Sequence, residues 1–425
     1  EGKDIDIGRL LVNTDYDVKG YVQAKGHIGG SLYNPNFNGS VTSNFLTING
    51  EGITNISGTL YADKTVVNLE KFEFDEEQGG HYMARAGMST VGDKRLFGTL
   101  QVTNGRVSNL LSLLGKPVDK LDGSLSGTVD LGGTYGNPSL NVVGSIKDVT
   151  IDTKVVGDAK IDASLENRKF KIRTLKLPVD DGLIAAGGTV DLDGDADLQI
   201  AVRDVDIEPF LPLIGDNINA TGSITGVINM TGATQNPKVE LSASLANGSY
   251  NGIDIDQGFV LATMENHVIN VQRIQGVKED YKLSAYGKIP LAALYTTGYL
   301  DANDSKAMDM TIDFNEADMA VIPLITPTVK DATGALKGVV HVTGTIDQPE
   351  AYGTVSVRNG TMKIKTVGNE LKNIDGDLIF SGQQADFQSR ISAGKGTAGL
   401  AAKVNWTGHT MTSYRAAIQL DGLDL

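Results

Sequence analysis

The residues that could do chemistry in this chain are few and scattered. His27, His81, His267, His341 and His409 are the five histidines, and none has an acidic or histidine neighbour at the spacing a zinc site needs. Asp191, Asp193, Asp195 and Asp197 alternate as the first ligands of a calcium loop do, since such carboxylates can converge on a hard cation. The sixth position is Ala196 where the loop turns on Gly, however, and the twelfth is Val202 where a bidentate Glu belongs, so Asp193-Gly194 reads as a hairpin turn. Gly394-Lys-Gly396-Thr-Ala-Gly399 matches a dinucleotide fingerprint only in its glycines and lies in strand-like sequence with no following helix. There is no phosphate loop, no nucleophile elbow and no cysteine. The sequence therefore assigns no catalytic residue, no metal ligand and no cofactor, and it reads as a non-enzyme. Met308, Met310, Ile312 and Phe314 offer chemistry of another kind, an adaptable apolar surface on alternate residues, which ordinary core packing would equally produce.

Composition narrows the class of protein. The 425 residues include 51 glycines and only 11 prolines without a three-residue period, and 40% are hydrophobic, which excludes collagen and leaves ample material for a core. A net charge of -15, with no block of basic residues, argues against nucleic acid as a partner. The longest apolar stretches, 290–295 and 321–325, fall well short of the roughly 20 residues of a membrane-spanning helix. The opening Glu1-Gly2-Lys3-Asp4 reads as a cut from a longer chain.

What positions these residues is a repeat. Pro35, Pro138, Pro237 and Pro349 are each preceded at fifteen residues by a glycine (Gly20, Gly123, Gly222, Gly334) and at five by another (Gly30, Gly133, Gly232, Gly344). At eleven residues the side chain is small: Ala24, Gly127, Gly226, Gly338. Apolar columns lie between at even offsets: Val22, Leu125, Ile224 and Leu336; then Val129, Ile228 and Val340, with Gly26 in the first copy; then Ile28, Leu131, Met230 and Val342. Even offsets put them on one face of a β-strand. Short helices are predicted before the last three copies, at 107–114, 206–214 and 318–325, with Asp206 as an N-cap. The first copy has too little sequence ahead of it for such a helix, and a fifth is due where the chain ends at 418–425.

Elsewhere the texture is alternation with one wet face, as in Leu198, Ile200 and Val202, or Val239 and Leu241. Asn-Gly and Asp-Gly pairs, such as 49–50, 104–105, 193–194, 247–248 and 359–360, are predicted to close hairpins. At about 13 or 14 residues per strand and turn the chain holds on the order of 30 strands, mostly in antiparallel meander. So long a sheet must cover its apolar face. A closed solenoid or sandwich would cover it with protein, whereas a sheet curled lengthwise would leave a gutter for an apolar guest.

The glycine-and-proline element, in its clearest copies Gly123 to Pro138, Gly222 to Pro237 and Gly334 to Pro349, each behind a Leu/Ile-rich helix, resembles that of the TamB family of AsmA-like, bridge-like proteins. The resemblance covers nearly the whole chain. It implies a mainly β fold: an elongated antiparallel β-sheet curled into a U-shaped groove, the β-taco, in repeats of about 100 residues at 1–106, 107–205, 206–317 and 318–425, the first and last truncated. It implies a conduit in the periplasm of a diderm bacterium, anchored to the inner membrane and reaching an outer-membrane barrel of the Omp85 type through parts outside this fragment. Phospholipid acyl chains would lie against Val22, Ile28, Leu125, Val129, Leu131, Leu198, Ile200, Val202, Ile224, Ile228, Met230, Val239, Leu241, Met308, Met310, Ile312, Phe314, Leu336, Val340 and Val342. The rival reading is a structural or adhesive β-repeat array on the cell surface, with a dry core and no lipid cargo.

Overall fold

The computed structural model describes residues 1–10, 16–77, 79–115, 117–214, 219–250, 253–279, 281–294, 306–325, 329–365, 370–393 and 396–421. The chain is mainly β, with 26 strands among the described residues. It divides into two units, Glu1–Val205 with Pro209–Asp216, and Asp206–Glu208 with Asn217–Leu425.

In the first unit the strands run from Gly2–Asp6 to Asp195–Asp206, and each hydrogen-bonds antiparallel to the strands before and after it in sequence. In the second they run from Ala220–Ala233 to Thr410–Asp421 in the same manner, with one variation. Val329–Thr333 and Leu336–Gly344 lie end to end against the single long strand Pro349–Ile364. Neither ladder closes on itself. A closed solenoid pairs the strands of successive coils in parallel, and no described pair is parallel.

The repeated glycines have a direct backbone cause. Gly30, Gly133, Gly232 and Gly344, five residues before the prolines, sit at φ 82°, 76°, 82° and 81°, the left-handed turn that aims the chain into the proline strand. Gly20, Gly123, Gly222 and Gly334 take φ 129°, 155°, 124° and 137°, a region that a Cβ disfavours. Neighbouring strands also press on this second column. A Cβ on Gly222 would stand 2.7 Å from the Gly248 Cα, and one on Gly334 would stand 2.6 Å from the Gly360 Cα.

Several predicted features differ. A helix does precede the first copy, at Ile7–Leu10, because Asp6 accepts a hydrogen bond from the Gly8 N–H and one turn suffices. The region of the fifth helix is strand as far as Asp421, held by the register Leu400 to Ile418 and Ala398 to Leu420, and residues 422–425 lie outside the described residues. Many of the Asn-Gly pairs do not turn the chain. Asn49-Gly50 and Asp193-Gly194 close hairpins, but Asn104, Asn247 and Asn359 have φ of 53°, 49° and 55° inside strands. Left-handed backbone serves a bulge as well as a turn, and a bulge bends the strand and raises its twist. The Asn251-Gly252 pair, predicted from its type to close a hairpin like the others, lies outside the described residues.

The helices Val107–Leu113, Glu208–Phe210 with Leu211–Ile214, and Met319–Val321 with Ile322–Ile325 form where expected. Each starts on a carboxylate. Asp206 accepts the Glu208 N–H at 3.1 Å, Asp318 accepts Ala320 N–H at 2.9 Å and Gly334 N–H at 2.7 Å, and Asp122 reaches back from the following strand to Ser108 N–H at 3.3 Å and Oγ at 3.1 Å.

Candidate functional site

The strand registers place the apolar columns side by side. In the first unit Leu100, Val129, Val142, Ala163, Ile172, Gly188 and Leu198 stand opposite one another in succession, so one face carries an apolar row across seven strands. In the second unit the row is Ile228, Leu241, Ala262, Val271, Gly287, Met310, Val342 and Ala351. Parallel rows flank it: Ile224 faces Leu245, Met230 faces Val239, Ile312 faces Val340 and Met308 faces Gly344.

Burial separates two zones on this face. Where the short helices lie, protein covers it. Val22, Leu46, Ile53 and Ile56 form a core with Leu113 of the helix Val107–Leu113; Val149, Ile151, Val156, Val179 and Val205 form another beside Phe210; Met319, Val329, Leu336, Val340, Val355 and Ile374 form a third. Between these cores the large side chains of the same face are mostly half-buried, as at Leu125, Val129, Leu131, Ile200, Ile224, Met230, Met308, Met310 and Ile312, with Ala163, Ala262 and Val271 buried among them; Val202, Phe314 and Val342 are half-buried where they pack against the helix-bearing cores. A second protein layer would bury side chains of this size fully. Ile28, on the same face at the far end of its strand, is 76% exposed. Val22, Leu336 and Val340, predicted to line a groove, are instead 5%, 7% and 4% exposed within protein cores, because they stand at or beside the helix-bearing end of their strands.

Alternation in the sequence missed part of this face. Leu69 and Phe72, Ile172 and Leu175, and Val271 and Ile274 all point to it, yet each pair is three residues apart because the register shifts between them. Three-residue steps between strongly apolar strand residues are the signal that could have found them.

The other face is wet and mixed, with exposed Val143, Phe259, Leu261 and Val339 among its polar and charged side chains. Arg173 spans Asp162 at 2.7 Å and Ser164 at 2.9 Å, Arg358 meets Asp377 at 3.0 Å, and His81 meets Asp75 at 2.6 Å. Asp193 is ion-paired to Arg168 at the hairpin, and its own N–H is taken by Asp191 at 3.0 Å. The Asp191–Asp197 run therefore serves a turn and an ion pair. No group of acidic and histidine side chains suited to a metal ion occurs among the described residues. A cavity of about 590 Å³ near Arg358, Asp375 and Arg390 is open and polar. One of about 290 Å³ between Ile255, Ile274, Leu283 and Ile312 has an apolar wall.

No helix among the described residues is long and apolar enough to cross a membrane. Comparison with family models, curated proteins and solved structures gave no match.

Proposed function

We propose that this chain is a length of a lipid conduit, a member of the TamB-like group whose sheet curls around phospholipid acyl chains and guides them between inner and outer membranes across the periplasm. The observation that carries the reading is the apolar row, continuous across strand after strand in each unit, with most of its large side chains left half-buried or exposed between the helix-bearing cores. Such a face needs an apolar guest, and burial of an acyl chain contributes about 0.8 kcal/mol per methylene. Val129, Leu131, Leu198, Ile228, Leu241, Met308, Met310 and Ile312 are the contacts. Val22, Leu336 and Val340 support the wall from within. Lipid slides without a chemical step, so no catalytic residue is required.

The test is native mass spectrometry with lipid extraction on the chain purified from a diderm bacterium without strong detergent. Several phospholipids per folded chain are expected. A folded, soluble sample free of lipid overturns the reading in favour of a structural array. At single positions, Met310→Arg and Ile228→Asp place a charge in the row at a desolvation cost of several kcal/mol. Both variants should fold and lose lipid carriage, and wild-type carriage in either would remove that position from the path.

A further inference from the structure

Among the strands of the second unit, Val268–Lys278 places a charged residue on the apolar face. Ile274, Gly276 and Lys278 follow one another on the same side of the strand Val268–Lys278, facing Ala285, Leu283 and Tyr281 of the next strand. Lys278 thus shares a face with Ile274 and Leu283, and it is half-buried at the rim of the 290 Å³ apolar cavity, with Tyr281 beside it. Below them Ile255, Ile312 and Ala317 complete the apolar wall. The other charged groups at the cavity are engaged or solvated. Lys282 is on the opposite face and pairs with Glu316 at 3.0 Å; both oxygens of Asp318 accept backbone N–H groups; Asp254 is exposed to solvent at the edge of the cavity. Lys278 forms no ion pair with a described residue.

We infer that this is a resting site for an anionic phospholipid: one acyl chain enters the cavity, and its phosphate is held by Lys278 Nζ with the Tyr281 hydroxyl as a second donor. The inference rests on the conduit reading and adds headgroup selectivity at a defined station. A lysine stem lying along apolar surface with its ammonium at the edge is the arrangement that accommodates an amphiphile with a negative head. The cavity, at about 290 Å³, is at the small end of ligand pockets, which run from roughly 300 to 1,000 Å³, so it takes a length of one acyl chain and leaves the head outside. A zwitterionic head gains less, because its own cation opposes the lysine.

The experiment incubates the full chain with vesicles of phosphatidylcholine containing phosphatidylglycerol, re-isolates the protein and measures both lipids by extraction. Wild type should prefer phosphatidylglycerol about three- to fivefold at this one station, the range expected of a partly solvated ion pair, and so raise its fraction of the recovered lipid above its share in the vesicle. Lys278→Met should keep total lipid and lose the enrichment, and Lys278→Arg should retain it. Lipid bound without enrichment in wild type, or equal enrichment in Lys278→Met, overturns this site and leaves the conduit standing. No lipid of either kind in wild type overturns both.

Discussion

Tyr82 and Glu76, 1% and 3% exposed, form a polar pair on the face of the first unit where the helix Val107–Leu113 begins. The Tyr82 hydroxyl donates to Glu76 Oε1 at 2.5 Å, while Glu76 Oε2 accepts Arg106 N–H at 3.1 Å and the Asn109 amide at 3.3 Å. Phe74 stacks on the Tyr82 ring at 4.6 Å. Burial, and then the bond to Glu76, hold the Tyr82 phenol well above the ordinary tyrosine range. The folded chain therefore favours the protonated phenol. That stabilisation is complete below about pH 10 and declines as pH rises beyond it. Tyr82→Phe should flatten the alkaline limb of a stability-versus-pH curve and cost about 1–3 kcal/mol near neutrality, by leaving a buried carboxylate short of a donor. An unchanged alkaline limb would assign that limb to other groups. Glycine offers a second comparison. Gly232 and Gly344 share the left-handed turn, but a Cβ on Gly232 meets nothing within 4 Å, whereas one on Gly344 runs into the Gln348 carbonyl oxygen. Gly232→Ala should cost about 1–2 kcal/mol from conformation alone, and Gly344→Ala distinctly more, read from denaturant midpoints.

At the scale of the element, the short helices act as braces on one edge of each ladder. The helix Val107–Leu113 starts between Glu76 and Asp122 and ends where Asn49 Nδ2 donates to the Leu113 carbonyl at 3.1 Å, so polar contacts at both ends tie it to strands on either side. Seven residues are too few to be helical in isolation, and these contacts with the Leu113 side chain supply what propensity cannot. Asp318→Ala should remove two backbone partners from a buried cap and lower the stability of the second unit by about 1–3 kcal/mol. Thermal unfolding checks this, and a wild-type midpoint would mean that water replaces the carboxylate without loss. The opposite edge of each ladder is tied more lightly, by amide pairs between successive turns: Asn137 to Asn167 at 2.8 Å in the first unit and Asn236 to Asn266 at 2.9 Å in the second.

For the whole chain, each unit is a long run of nearest-neighbour strand contacts, and the three clusters of buried side chains among the described residues lie beside the helices. Arrays of this kind open locally before they unfold globally. Amide hydrogen exchange should find the greatest protection in the strand segments 51–58, 149–151, 154–156, 336–344 and 349–357, and faster exchange at the turns 31–34, 135–136 and 266–267. Uniform protection along the strands would show a more cooperative core than the burial pattern implies.

Residue types and offsets were sufficient to reveal a mainly β chain with one apolar face, the glycine columns and the sites of three helices. Period-two alternation and left-handed backbone are local properties, and they survive any tertiary arrangement. The same local signals could not tell an Asn-Gly bulge from an Asn-Gly hairpin, since both need positive φ at Asn104 as at Asn49; whether the chain reverses depends on the partner strand. Nor could they show that Leu69 and Phe72 share a face across a register shift, that one turn of helix at Ile7–Leu10 precedes the first copy, or that Val22, Leu336 and Val340 are buried in protein while Met310 is only half-buried. Those distinctions arise from which strands and helices meet. Lys278 illustrates the same limit: in sequence it is one lysine among charged neighbours, and only the register that aligns it with Ile274 and Leu283 sets it on the apolar face.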